Sequence, residues 1–297
     1  MNDTLLIAIL GGVGAMLGWG ISDFFAKKSV DKIGDITALL WMQTLGLLPL
    51  ILVFLFKFDL PAITPSLLLK LTALAAIDAA GYLFFYRALE KGKVSIVSPI
   101  VASYAAFSVL VSAVVFGESI STISALLLGL AFVGILLTSF DFKELKNDKL
   151  DKKDLIKGVP EAILSVVLFS FWFPFWDDFV SHGNWLFLLL GQRAVMASLL
   201  FLFTKVKKIP TKINSKEVWK WLFVIGGLDV FAYLALTWGY GKSNLTSVVS
   251  MLSAGFSLPT LIMARIFLKE KLKFVQQIGV VVILLTLILL AGFGSAH

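Results

Sequence analysis

Apolar residues run along this chain in ten long stretches separated by short polar connections. They cover residues 4–26, 36–56, 66–89, 94–116, 122–140, 158–180, 184–204, 217–240, 245–267 and 274–293, each boundary good to a few residues. A helix needs about 20 predominantly apolar residues to cross a hydrocarbon layer of about 30 Å, and every stretch is close to that length. The pattern predicts an all-α integral membrane protein with ten transmembrane helices. The first stretch starts without basic residues and runs on to Lys27, so it reads as a span and not as a cleaved signal.

Composition narrows the class further. Hydrophobic residues make up 59% of the 297 and charged residues 15%, whereas soluble domains hold about 45–50% and about 25%. Eleven of the 45 charged residues lie in 141–157 and seven in 205–220, which leaves the spans nearly free of charge. A chain this apolar cannot stay solvated as a disordered coil. With no cysteine and only His182 and His297, it excludes a disulfide scaffold, thiol chemistry and a histidine-built metal site. No cofactor or metal is expected.

The net charge of +7 would suggest nucleic acid as a partner in a soluble chain. Here the basic residues lie between spans. A ten-span thread puts 22 of the 26 Lys and Arg on one side and Lys57, Lys70 and Lys242 on the other, with Arg193 inside a span. The richer side is expected to face the cytoplasm of a cell membrane, with both termini outside. The bilayer is then the partner, and nucleic acid is not.

The halves look like a duplication: a five-helix repeat in 1–140, a charged cytoplasmic linker in 141–157, and a second five-helix repeat in 158–297. At an offset of 151, Asp78, Tyr82, Leu83, Lys91 and Val97 match Asp229, Tyr233, Leu234, Lys242 and Val248. Trp19 pairs with Trp172, Gln43 with Gln192, and Glu118 with Glu270. An odd number of spans per repeat turns the halves antiparallel, giving two inverted five-helix repeats as in many secondary transporters.

The run Gly18-Trp19-Gly20-Ile21-Ser22-Asp23-Phe24-Phe25-Ala26-Lys27 resembles the first-span signature of the EamA-like branch of the drug/metabolite transporter (DMT) superfamily. Ser98-Pro99 through Phe116-Gly117-Glu118 to Gly129–Gly134 is similar to that family's repeat ending, and Arg265 to Gly279 repeats it. The resemblance spans almost the whole chain. It implies ten helices in two inverted repeats, a central cavity, and movement of a small metabolite. Where members often carry an arginine in the second and seventh spans, this chain has Arg193 in the seventh but Gln43-Thr44 in the second. A carboxylate site of paired arginines is therefore not carried over.

Charges in mid-span are costly, about 2.5–3.5 kcal/mol on insertion scales, and mark pathways or buried pairs. Asp78, Arg193 and Asp229 qualify, with Tyr82 and Tyr233 one helical turn after the aspartates. One arginine cannot neutralise both aspartates, so one is left for an ion or a substrate. Asp23, Asp177 and Asp178 lie near span ends. Asp23 reads either as a headgroup-level partner of Lys27 at i+4 or as one mouth of a cavity, with Asp177 at the other. Trp19, Trp41, Trp172, Gln43 and Gln192 complete the candidate binding set, whereas Trp185, Trp219 and Trp221 look like interface anchors. Gly14 and Gly18 form a GxxxG pair for close helix approach, and Pro99 and Pro259 are candidate hinges.

These features point to a secondary transporter of a small polar metabolite (an amino acid, nucleoside, amine or similar) working by alternating access, with protons as a candidate coupling ion and no oligomer required. No enzymatic activity is expected. An intramembrane aspartyl protease would also use two aspartates, but Tyr-Asp and Gly-x-Gly-Asp are absent. A channel would show filter residues or a re-entrant loop, and an ATP-driven pump a P-loop; neither is present.

Overall fold

The computed structural model describes residues 3–56, 60–92, 97, 100–139, 157–268 and 274–293. Pro99, Glu270, most of the 141–157 linker and several counted lysines lie outside them. The described residues form helices joined by short connections, without strands. The helices are α1 (Asp3–Ile33), α2 (Asp35–Phe56), α3 (Pro65–Lys91), α4 (Tyr104–Val115), α5 (Thr122–Ser139), α6 (Val159–Ser181), α7 (Trp185–Val206), α8 (Lys216–Ser243), α9 (Thr246–Ser253), α10 (Ser257–Leu268) and α11 (Phe274–Phe293). Six of them, α1–α3 and α6–α8, are long and apolar enough to cross a membrane. These are the first three helices of each half.

Two departures from the sequence expectation have local causes. First, α1 reaches Ile33, seven residues past the expected end. Its 31 residues span about 46 Å at 1.5 Å per residue, so its last turns project beyond a hydrocarbon layer. There Lys28 and Lys32 sit 5.8 and 4.6 Å over the ring of Trp221. Gly34, at φ +79°, then reverses the chain into α2 at a backbone angle that side chains disfavour. Second, the ninth stretch is broken by a 3₁₀ turn, Ala254–Phe256, between α9 and α10. Pro259 cannot donate to the carbonyl four residues back, at Gly255, and its ring crowds that carbonyl. Pro49 and Pro174, by contrast, lie inside continuous helices.

Small residues set the closest packing. A Cβ at Gly11 would lie 2.7 Å from Gly239 Cα, and one at Gly18 would lie 2.7 Å from both Ala232 Cβ and Leu228 O. Between them Gly14 faces Ala235. The GxxxG expectation thus holds as one part of a longer α1–α8 seam, the close approach that membrane helices obtain from small residues. Gly20 faces the break: its Cβ would fall 2.2 Å from Phe256 O, and Thr260 donates to Gly20 O at 2.7 Å.

Charge is sorted by place. Lys32–Glu217 (2.9 Å), Arg87–Asp35 (3.3 Å) and Lys91–Glu161 (2.5 Å) tie the ends of α1 and α3 to the starts of α8, α2 and α6. These pairs cluster at one end of the bundle. The flanks carry exposed Phe56, Leu69, Val114 and Leu126, while Gln43, Asp78, Gln192 and Arg193 are buried. That inverts the soluble arrangement and suits a lipid surround.

Candidate functional site

Four helices bring the mid-span charges together. Arg193 on α7 donates to Asp229 on α8 and to Gln43 on α2, and its guanidinium lies 4.8 Å over the ring of Tyr233. Asp229 also accepts from Trp19 Nε1 at 3.1 Å and Tyr82 OH at 3.3 Å. Asp78 on α3 accepts from Tyr233 OH at 2.7 Å and from Gln192. The question left open by three charges is therefore decided. Arg193 pairs with Asp229, and Asp78 has only neutral partners.

The bonding is crosswise between the repeats. Tyr82 of the first half bonds Asp229 of the second, and Tyr233 of the second bonds Asp78 of the first. The symmetry breaks at two places. The position matching Arg193 is Thr44, whose hydroxyl donates to its own helix at Leu40 O, 2.8 Å. Trp19 bonds Asp229, while its counterpart Trp172 has an unpartnered buried Nε1, and Asp78 has an unpartnered Oδ1.

Beside this network lies a cavity with about 400 Å³ of atom-free space, counting the part open to the surroundings. Trp19, Asp23, Asp78, Tyr82, Phe85, Val101 and Tyr104 line it from the first half, and Phe169, Phe173, Tyr233 and Phe256 from the second. The wall is built of rings in contact: Tyr104 stacks on Phe173 at 4.4 Å, and Tyr82 meets Phe169 edge-on at 5.4 Å. Asp23 is partly exposed there. Its expected partnership with Lys27 is replaced, because Lys27 bonds Asp31 at 2.7 Å and Leu89 O at 2.8 Å.

Three candidates lie elsewhere. Trp41 donates to Thr211 O at 2.9 Å and packs edge-on to Trp219, away from the cavity. Trp172 is buried against Trp176 and Tyr233, behind the cavity wall. Asp177 accepts from Ser181 at 3.1 Å and from Thr246. Near it Glu118 accepts from Ser247 N at 3.1 Å, so the turn between α4 and α5 caps the start of α9. Gly117, at φ +66°, makes the turn that aims Glu118 there. Burial away from water holds the Glu118 carboxyl above its ordinary value.

Sequence reasoning missed Val101, Tyr104, Phe169, Phe173 and Phe256 on the wall, whereas helical spacing from Asp78 puts Phe85 on that carboxylate's face. With 26 phenylalanines in the chain, nothing singles out the other wall-forming ones. Tyr104 was findable: there are only five tyrosines, and a mid-span hydroxyl must find a partner.

The model of the EamA-like transporter family matches twice, over residues 6–140 and 156–292. The chain belongs to the EamA-like transporter family. It is accordingly a multi-pass membrane transporter of the DMT type with two-repeat architecture. No curated protein matches it. Among solved structures, 28 chains match. One, described only as "Crystal structure of protein", aligns over 94% of both chains with a TM-score of 0.74 at 15% identity. At that identity the likeness concerns the fold.

Proposed function

We propose that this EamA-like transporter is a secondary carrier that moves a small polar metabolite by alternating access. Its ten spans form two inverted five-helix repeats, 1–140 and 158–297, joined by the charged segment 141–157. The basic side faces the cytoplasm of the cell membrane, with both termini outside. The observation that carries this reading is the crosswise network with one bond made and its mate unmade. In an inverted-repeat carrier the two access states exchange the environments of the two halves. Here Trp19–Asp229 is formed, while Trp172 Nε1 and Asp78 Oδ1 are both free. In the opposite state Trp172 bonds Asp78 and Trp19 releases Asp229.

Asp78 is the group we assign to proton coupling. Its partners are neutral, so gaining a proton breaks no ion pair, whereas Asp229 is held by Arg193. The test is uptake into proteoliposomes under an imposed pH gradient, using whichever ligand stabilises the purified protein in a screen of amino acids, nucleosides, sugars and amines. Asp78→Asn should remove gradient dependence. Unchanged gradient dependence in both Asp78→Asn and Asp229→Asn rules out coupling at these groups.

A further inference from the structure

We infer that the central cavity takes an organic cation: an ammonium group attached to a flat apolar body. This deepens the transport reading above and rests on it.

Four wall residues carry an N–H or O–H: Trp19, Tyr82, Tyr104 and Tyr233. Trp19 and Tyr82 give theirs to Asp229, and Tyr233 gives its own to Asp78. Ser253 directs its proton to Ser250 O at 2.8 Å, so in the 2.9 Å contact with Tyr104 the tyrosine is the donor. All four donors are committed. Among the wall residues the polar groups that remain are carboxylates: Asp78 Oδ1 is unpartnered, and Asp23 also lines the cavity. A carboxylate or phosphate ligand needs donors, and the wall residues have none to spare. A sugar or nucleoside brings both kinds of group, and its own acceptors would be left desolvated against phenylalanine, at a cost of about 1–3 kcal/mol each. An ammonium brings only donors.

Asp23, Asp78 and Asp229 stand near one another with a single guanidinium among them, and Arg193 is bound to Asp229 and Gln43 and does not line the cavity. Lys27, the nearest cation along α1, is held by Asp31 and Leu89 O. Carboxylates in a low-dielectric wall are costly unless a cation joins them. Tyr104 stacked on Phe173 and Tyr82 against Phe169 present ring faces and edges of the kind that attract a cation.

The test uses three probes that share a phenyl ring and differ in the head: 2-phenylethylammonium, 2-phenylethanol and 3-phenylpropanoate. Each is titrated into the purified full chain while tryptophan fluorescence and heat flow are followed. The ammonium should bind saturably and the other two should not. Asp23→Asn should weaken it at least about tenfold, and Phe173→Leu about two- to fivefold. Val101→Phe, which fills the cavity, should abolish binding; Phe173→Leu serves alone if that variant does not fold. If 3-phenylpropanoate binds instead, and the Val101→Phe or Phe173→Leu change weakens it, the cavity is a binding site and the cation assignment is wrong. If no probe saturates at millimolar concentration, or if binding ignores every one of these substitutions, the cavity reading itself fails.

Discussion

Replacing Arg193 with methionine tests how much the buried charge network contributes to the stability of the bundle. The guanidinium and the Asp229 carboxylate are 0% and 1% exposed. Removing the arginine strands a carboxylate that keeps only Trp19 and Tyr82 as neutral donors, at 3.1 and 3.3 Å. Breaking a buried pair from one side costs about 3–5 kcal/mol. Gln43 Oε1 loses its donor as well, and because Gln43 Nε2 has no partner either, that amide is left with no bond, about 1–3 kcal/mol more. The apolar methionine stem and the surviving bonds to Asp229 offset part of this. We expect a net loss of about 4 kcal/mol, nearly a thousandfold in the unfolding equilibrium. Adding Asp229→Asn removes the stranded charge and should recover about 2–3 kcal/mol, since the penalty for breaking the pair came from leaving that charge alone. The assay is reversible unfolding in mixed micelles with rising dodecyl sulfate, followed by tryptophan fluorescence. A double mutant whose loss equals the sum of the two single losses would refute the pairing. A single mutant within about 0.5 kcal/mol of wild type would do the same.

Two further outcomes follow from packing and titration. Gly20→Ala pushes a Cβ to 2.2 Å from Phe256 O and 2.8 Å from Pro259 Cβ, so it should cost about 3 kcal/mol. Gly129→Ala, with nothing within 4 Å, should be neutral or stabilising by up to about 1 kcal/mol in the same unfolding assay. The Glu118 carboxyl is raised by burial above its ordinary 4.5. The protonated form is thus favoured in the folded state, and stability is fully present below the unfolded value and declines as pH rises through the folded one. The melting temperature of wild type relative to Glu118→Gln should fall over that window; a constant difference removes the assignment.

Much of the fold was legible because span detection needs only length and apolarity. The edges of the six long helices fall within a few residues of the apolar stretches, apart from α1, where helix propensity and the lysine contacts to Trp221 carry the helix past the membrane boundary. The break in the ninth stretch was half visible: Pro259 marks it, but the proline ring acts three to five residues upstream, at the 3₁₀ turn. At the site, rarity made Asp78, Arg193 and Asp229 readable. Their partners Gln43, Gln192, Tyr82 and Tyr233 were readable through the repeat. Trp41 shows the limit: a tryptophan deep in an apolar stretch looks alike whether it faces a cavity or a neighbour such as Trp219. The sequence holds no record of helix rotation about its own axis when every face is apolar.

The duplication explains why two similar aspartates take different parts. A repeat copies Asp and Tyr together, so each half supplies one carboxylate and one hydroxyl, and crosswise bonding gives each carboxylate one tyrosine. The charge at one position then separates them. Where the second half has Arg193 the first has Thr44, turned back to Leu40 O, and the arginine reaches Asp229 and not Asp78. A charge added to one copy removes Asp229 from the groups free to meet a ligand and leaves Asp78 and Asp23 facing the cavity. An arginine introduced as Thr44→Arg would tend to restore the symmetry. It should pair with Asp78 and so abolish binding of 2-phenylethylammonium while the helices still assemble. Retained binding with an intact fold would show that Asp78 is not the carboxylate the ligand meets.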